Sequence, residues 1–259
     1  MLSKVGGTVT NLPPGLKEFP IFPGIDPNRI IGKKCETMAI DIQIIKDGRV
    51  KRTWHFEDWT ACLAQLLGEP QQLFMNPRED PGELLTEIPE SIKNFYDKVL
   101  QDPLGQGQNE TLINSIFNPD WNVRVNNVNP TRPGPGTGPN GNQKIFGLLG
   151  TFIPNLKFER QHILLCGDHV AALSKVTGTI TNTMPPGFDQ IPLMPGIDPK
   201  RLLGKSFTTL ALDIHMIKNK KLKHAWHIED WQTAAYQILN GTPAPDLGLD
   251  ESFLSEKDY

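Results

Sequence analysis

Asp213, His215, His224, Trp226 and Asp230 crowd one short stretch of this chain, and they are the side-chain types that acid–base chemistry at carbon needs. A carboxylate beside an indole in an apolar pocket has a raised pKa, because desolvation disfavours its charged form. That moves it toward the range useful for proton transfer near neutrality, an effect worth roughly 10²–10⁴-fold. Such a base takes a proton from carbon between two carbonyls, while a neighbouring donor neutralises the alkoxide that forms. The chemistry needs no metal and no cofactor, and none is expected. Asp230 is the candidate base, and Asp213 and His215 are the candidate donors. A metal held by His215 and His224 has no evident third ligand.

The backbone must gather these groups. Residues 206–217 (SFTTLALDIHMI) alternate as a strand does, KNKK at 218–221 reads as a turn, and 222–230 (LKHAWHIED) as the returning strand. Centring the hairpin on Asn219 and Lys220 sets Asp213 opposite Trp226, His215 opposite His224 and Thr209 opposite Asp230. One face then carries Thr209, Ala211, Asp213, His215, His224, Trp226, Ile228 and Asp230. Trp226, His224 and Thr209 become the candidate substrate contacts. The other face carries Leu210, Leu212, Ile214 and Met216, with Lys223, Ala225, His227 and Glu229 opposite. His227 and its counterpart His55 read as structural. The aliphatic face can pack on another sheet, in a homodimer or an intramolecular pseudo-dimer.

The same pattern occurs twice. RTWHFEDWTACLAQLL at 52–67 returns as HAWHIEDWQTAAYQIL at 224–239, and SKVGGTVTN at 3–11 as SKVTGTITN at 174–182. FPGIDPNRIIGK at 22–33 likewise returns as MPGIDPKRLLGK at 194–205. A repeat this long is a duplicated domain rather than a solenoid, whose units run about 20–50 residues. In the first copy Asp47-Gly48 is a strong hairpin signal, and Asp58, Asp41 and Trp54 stand where Asp230, Asp213 and Trp226 stand in the second. These three read as structural. An aspartate before a helix can equally be an N-cap worth about 1 kcal/mol, which fits Asp58 and competes with catalysis at Asp230.

Ahead of the second copy, 91–101, 109–117 and 143–152 read as helices, and 158–166 and 169–181 as strands. Met1 aligns with Ala172, so the first copy is a half-domain without three helices and a first strand. It is completed against the other domain or another chain, or its start has been set late. The expected organisation is a half-domain at 1–67, a linker at 68–90, a complete domain at 91–240 and an acidic tail at 241–259. NPTRPGPGTGPNGN at 129–142 reads as a mobile loop. Hydrophobic content of 38%, charged content of 21% and a net charge of −3 describe a globular protein with no call for nucleic acid or an anionic membrane. Cys35, Cys62 and Cys166 suggest no framework, which favours a reducing cytoplasm. No run approaches the roughly 18 apolar residues of a membrane span.

Taken in order, FYDKVL (95–100), NPDW (118–121), FIPNLKF (152–158), CGDHVAALSKVTGTITN (166–182) and ALDIHMIKNKKLKHAWHIEDW (211–231) resemble the SnoaL-like polyketide cyclase, or ester cyclase, family. That family lies within the nuclear-transport-factor-like, cystatin-like superfamily. The resemblance spans nearly a whole domain at 91–240 and only the second half of one at 1–67. It implies an α+β fold: a cone-shaped, curved antiparallel sheet packed on three helices, with a cavity between. It also implies cofactor-independent cyclisation or isomerisation of a small hydrophobic, polyketide-like carbonyl substrate, with Asp230 as general acid/base in an aldol-type ring closure. Ketosteroid isomerase, in the same superfamily, runs comparable chemistry from an Asp base and a protonated Asp. The alternatives are a non-catalytic ligand-binding or assembly protein, and a hydrolase in the style of epoxide hydrolases.

Overall fold

The computed structural model describes residues 1–11, 26–66, 68, 82–125, 138–182, 199–241, 247 and 249. Most of the linker at 68–90, residues 129–137 of the Pro/Gly loop and nearly all of the tail lie outside them. The first copy forms β1 (Leu2–Thr8), β2 (Lys34–Lys46), β3 (Arg49–Glu57) and α1 (Trp59–Leu66). The second forms α2 (Glu90–Asn94), α3 (Glu110–Ile116), β4 (Phe117–Val125), α4 (Gly138–Phe152), β5 (Lys157–Cys166), β6 (His169–Ile180), β7 (Lys205–Lys218), β8 (Lys221–Glu229) and α5 (Trp231–Asn240). The fold class is α+β, with sheet orders β1-β2-β3 and β4-β8-β7-β6-β5. Every pairing is antiparallel except β4 on β8.

Both long hairpins carry the feature that alternation alone misses. At the second turn Asn219 and Lys220 take positive φ, as the tight hairpin requires. Ile217 then pairs with Leu222 but Met216 pairs with His224, leaving Lys223 as an extra residue. The first hairpin does the same at Lys51, between the Ile45–Val50 and Ile44–Arg52 pairs. An extra residue turns every later side chain to the opposite face. Asp213 therefore pairs with His227, His215 with Ala225 and Ile214 with Trp226, which corrects the expected register.

With that register each sheet face has one character. Leu210, Leu212, Ile214, Met216, Trp226 and Ile228 face the back, where they pack against Met38, Ile40, Ile42, Trp54 and Phe56 of the first copy. The aliphatic face is thus covered within the chain. The front of the five-stranded sheet packs on the helices through a second core built around Ile92, Tyr96, Ile113, Phe117, Trp121, Phe152 and Phe158. Beyond Asn94, α2 widens into a π-helical turn at Phe95–Val99, which carries the adjacent Phe95 and Tyr96 inward together.

The copies match in polar detail. Thr37 donates to the Asp58 carbonyl and Thr209 to the Asp230 carbonyl. The Asp58 carboxylate caps α1 through Ala61 N, and the Asp230 carboxylate caps α5 through Thr233 N. Gln65 and Gln237 each bond both backbone groups of a strand residue, Glu36 and Thr208. One difference is covalent: Cys35 and Cys62 form a disulfide that ties β2 to α1, where the second copy has Phe207 and Ala234. This corrects the expectation that the cysteines form no framework, and with it the argument for a reducing compartment. The remaining cysteine, Cys166, is exposed. Among the described residues, no helix is long and apolar enough to cross a membrane.

The disulfide closes a loop with a sequence separation of 27, for which chain entropy gives a stabilisation of about 3.5 kcal/mol. Replacing both cysteines by serine should lower the free energy of denaturant unfolding by roughly that amount. Unchanged stability would show that the β1–β3 sheet and α1 do not depend on the clip.

Candidate active site

The cavity lies between the front of the sheet and the helices. Phe95, Leu100, Trp121, Ile145, Phe146, Leu149 and Phe158 form its apolar wall, and Asn142, Asp213, His215, His227 and Glu229 its polar lining. Its volume is about 70 Å³, and it is partly open to solvent. β7 delivers Asp213 and His215, two positions apart and therefore on one face. β8, turned over by its bulge, delivers His227 and Glu229 to the same face.

Asp213 is the hub. It is 3% exposed, and its Oδ1 lies 2.7 Å from Nδ1 of His227 and 3.8 Å from Nε2 of His215. His227 Nε2 lies 3.6 Å from Oε1 of Glu229, whose Oε2 accepts from Trp231 Nε1 at 2.7 Å. His215 Nε2 meets the Tyr96 hydroxyl at 2.6 Å, and its ring stacks on Trp121 at 6.5 Å between centroids.

Partners, not burial alone, set these charges. Burial pushes the Asp213 pKa up, but the charge and hydrogen bond of His227 outweigh it, helped by His215 and the Tyr96 hydroxyl. The carboxyl is held below its ordinary range. Burial would push His227 down, yet Asp213 and then Glu229 hold it well above the ordinary imidazole range. His215 is more deeply buried and has no carboxylate so close, and its pKa falls to about 4. Burial, followed by the Asp213 charge, raises Tyr96 well above the usual phenol value, so it keeps its proton. At neutral pH the site holds a carboxylate, an imidazolium, a neutral imidazole and a phenol.

Of the residues expected in the site, Asp213 and His215 come together here. Asp230 does not line the cavity. Its Oδ1 accepts from Thr233 N at 2.9 Å and its Oδ2 from Thr233 Oγ1 at 2.5 Å, so it is the N-cap of α5. Thr209 is spent on the Asp230 carbonyl at 2.6 Å. Trp226 packs into the core between the sheets, and His224 shares its face through the register shift. In the first copy Asp58 is a cap, Trp54 is core, and Asp41 bonds His55 Nδ1 at 2.7 Å. Asp41 and His55 repeat the Asp213–His227 pair, with half of the His55 side chain exposed. His227, Glu229, Trp121 and Asn142 join the lining and Tyr96 backs it through His215, none of them a site candidate from sequence. Among the described residues, no group of three or more His, Cys, Asp or Glu is arranged to hold a metal ion.

A scan against protein-family models finds no match, and neither does a search of curated proteins. Solved structures do resemble the chain. TsrD from Streptomyces laurentii is 14% identical, with 59% of this chain and 96% of that one covered at a TM-score of 0.43. A SnoaL-like polyketide cyclase from Agrobacterium tumefaciens is 14% identical, covering 58% and 95% at 0.41. A Catenulispora acidiphila protein with a ketosteroid isomerase-like fold, in complex with trimethylamine, is 13% identical, covering 61% and 97% at 0.39.

Stability should respond to pH through His215. Its folded pKa lies below the ordinary 6.5, so between those values the unfolded state binds more protons, and stability is lost as pH falls from 6.5 toward 4. The expected loss is about 3 kcal/mol at the acid end. His215→Gln should flatten this decline in denaturation at pH 7.5 and 4.5. An equal acid loss in both proteins would contradict the buried, neutral imidazole.

Proposed function

We propose that this chain is a cofactor-independent cyclase or isomerase of a small carbonyl compound, with Asp213 as the proton-transferring base. The observation that carries the proposal is a fully enclosed carboxylate, kept ionised by His227, that borders an aromatic-walled cavity. Burying a carboxylate is expensive even when it is paired. Here it stands where a substrate C–H would meet it, with little water to compete.

The neighbours supply the remaining roles. His227 keeps Asp213 ready to accept a proton, and its position is fixed in turn by Glu229, which Trp231 holds. Tyr96 keeps its proton and bonds His215, which fixes that imidazole beside Asp213. Proton removal from carbon next to a carbonyl, followed by return at another carbon, isomerises the substrate. Attack by the carbanion on a second carbonyl of the same molecule closes a ring. Both routes need only the groups present. The ordered motifs resembling SnoaL-like cyclases support the same reaction class, with the base moved from Asp230 to Asp213. The first copy contributes by covering the back of the sheet that carries the site.

Two substitutions separate this reading from its rivals. Solvent deuterium exchange into a panel of carbonyl compounds, followed by NMR, supplies the activity. Asp213→Asn should lower the rate by about 10²–10⁴-fold, while Asp230→Asn should retain it and cost about 1 kcal/mol of stability as a lost cap. The reverse pattern would return catalysis to Asp230. Binding of these compounds without exchange in the wild-type protein would make the cavity a ligand-binding site only.

A further inference from the structure

Four polar atoms of cavity-lining residues have no hydrogen-bond partner among the described residues: Trp121 Nε1, Asn142 Nδ2, Asp213 Oδ2 and His215 Nδ1. Each of the four residues is at most 5% exposed. A buried donor or acceptor left unmade costs about 1–3 kcal/mol, so a fold seldom collects four around one space without a use. Asn142 is the most telling. It sits on α4 one turn before Ile145 and Phe146, on the face that packs inward, where an amphipathic helix would ordinarily place an apolar side chain.

The inventory describes the ligand. Two N–H groups ask for an oxygen acceptor, and one carboxylate oxygen asks for a hydrogen. His215 Nδ1 donates or accepts according to which way the Tyr96 hydroxyl points. The volume limits size: about 70 Å³ is roughly half of a cavity that accepts benzene. That suits a ketone or aldehyde unit of about three to five non-hydrogen atoms, with any remainder of the molecule at the open side.

Building on the proposed role of Asp213, we infer that Asn142 and Trp121 hold the carbonyl oxygen of such a compound and stabilise the enolate formed from it. Asp213 Oδ2 takes the α-hydrogen as a proton. The C–H electron pair becomes the new carbon–carbon π bond, and the carbonyl π pair moves onto oxygen, where the two N–H groups meet the charge. The proton on Asp213 then returns to carbon, or to the alkoxide if a ring has closed. No oxidant or further reactant is needed. A base held below its ordinary pKa is a weak one, so stabilisation of the enolate oxygen must supply much of the rate. Donors preorganised for that purpose contribute about 10²–10³-fold each.

Acetone labelled with ¹³C at its carbonyl tests the inference with two separate readouts. The shift of the bound carbonyl carbon reports hydrogen bonds to oxygen, and deuterium exchange at the methyl groups reports proton transfer. In the wild-type protein a downfield shift and catalysed exchange are expected. Asn142→Leu and Trp121→Phe, made singly, should each lose part of the shift and about 10²–10³-fold of the exchange. Asn142→Ala guards against a packing fault specific to leucine. Asp213→Asn should keep the shift and lose the exchange. Exchange that persists in Asp213→Asn while the shift still depends on Asn142 would overturn the base and leave the oxygen site standing. A shift indifferent to both Asn142 and Trp121, or no binding of acetone at all, would overturn the inference itself.

Discussion

A single extra residue in each long hairpin governs what this molecule can do. Without Lys223, β8 would present Trp226 and Ile228 to the helices and His227 and Glu229 to the opposing sheet. Two ionisable groups would then sit in a dry interface of aliphatic side chains, a cost of several kcal/mol per charge. With the bulge, the apolar residues of β7 and β8 share the back face and the ionisable ones share the front. The equivalent bulge at Lys51 lets Trp54 and Phe56 meet that back face from the other sheet. The seam between the copies and the polar floor of the cavity are therefore consequences of one local irregularity.

On that floor two imidazoles take opposite charge states, and the distance to a carboxylate and the depth of burial decide between them. His227 lies 2.7 Å from one carboxylate and 3.6 Å from another, whereas His215 lies 3.8 Å from Asp213 and bonds a phenol. Removing one partner of a buried pair such as Asp213–His227 costs about 3–5 kcal/mol, since a charge remains without its counterion. The first copy keeps an Asp41–His55 pair although no described helix of its own corresponds to α2, α3 or α4. The pair thus belongs to the hairpin, and the helices of the second copy convert it into a site by enclosing it.

Much of this was legible in the residues. Period-2 alternation located β5 to β8, helical periodicity located α2 to α5, and the duplication was plain from repeated words of sequence. The bulge was not, because no residue type marks it. A clue existed all the same: the regular register set the aliphatic face of β7 opposite Lys223, Ala225, His227 and Glu229, leaving Trp226 and Ile228 on the polar side. That mismatch of character argues for a slip. Asp230 was ambiguous for a sounder reason, since a strand-ending aspartate before a helix looks the same as cap or catalyst. Strand β4 was hidden by Pro119 and by its edge position, and the Cys35–Cys62 bond by the distance between its halves along the chain. Asn142 fell in what read as a Pro/Gly loop, and only the helix there shows that it faces the cavity.

The central claim is that the hairpin turns His227 inward to form a charged pair with Asp213, leaving His215 neutral beside it. The ¹⁵N chemical shifts of the imidazole nitrogens, followed from pH 5 to 9, read this directly. The account predicts one histidine with both nitrogens protonated at pH 8.5, assigned to His227 by its loss in His227→Gln. It also predicts that the resonances lost in His215→Gln are those of a single neutral tautomer down to pH 5. A His227 that titrates near pH 6.5, as an exposed imidazole does, would contradict the inward pair and the site built on it.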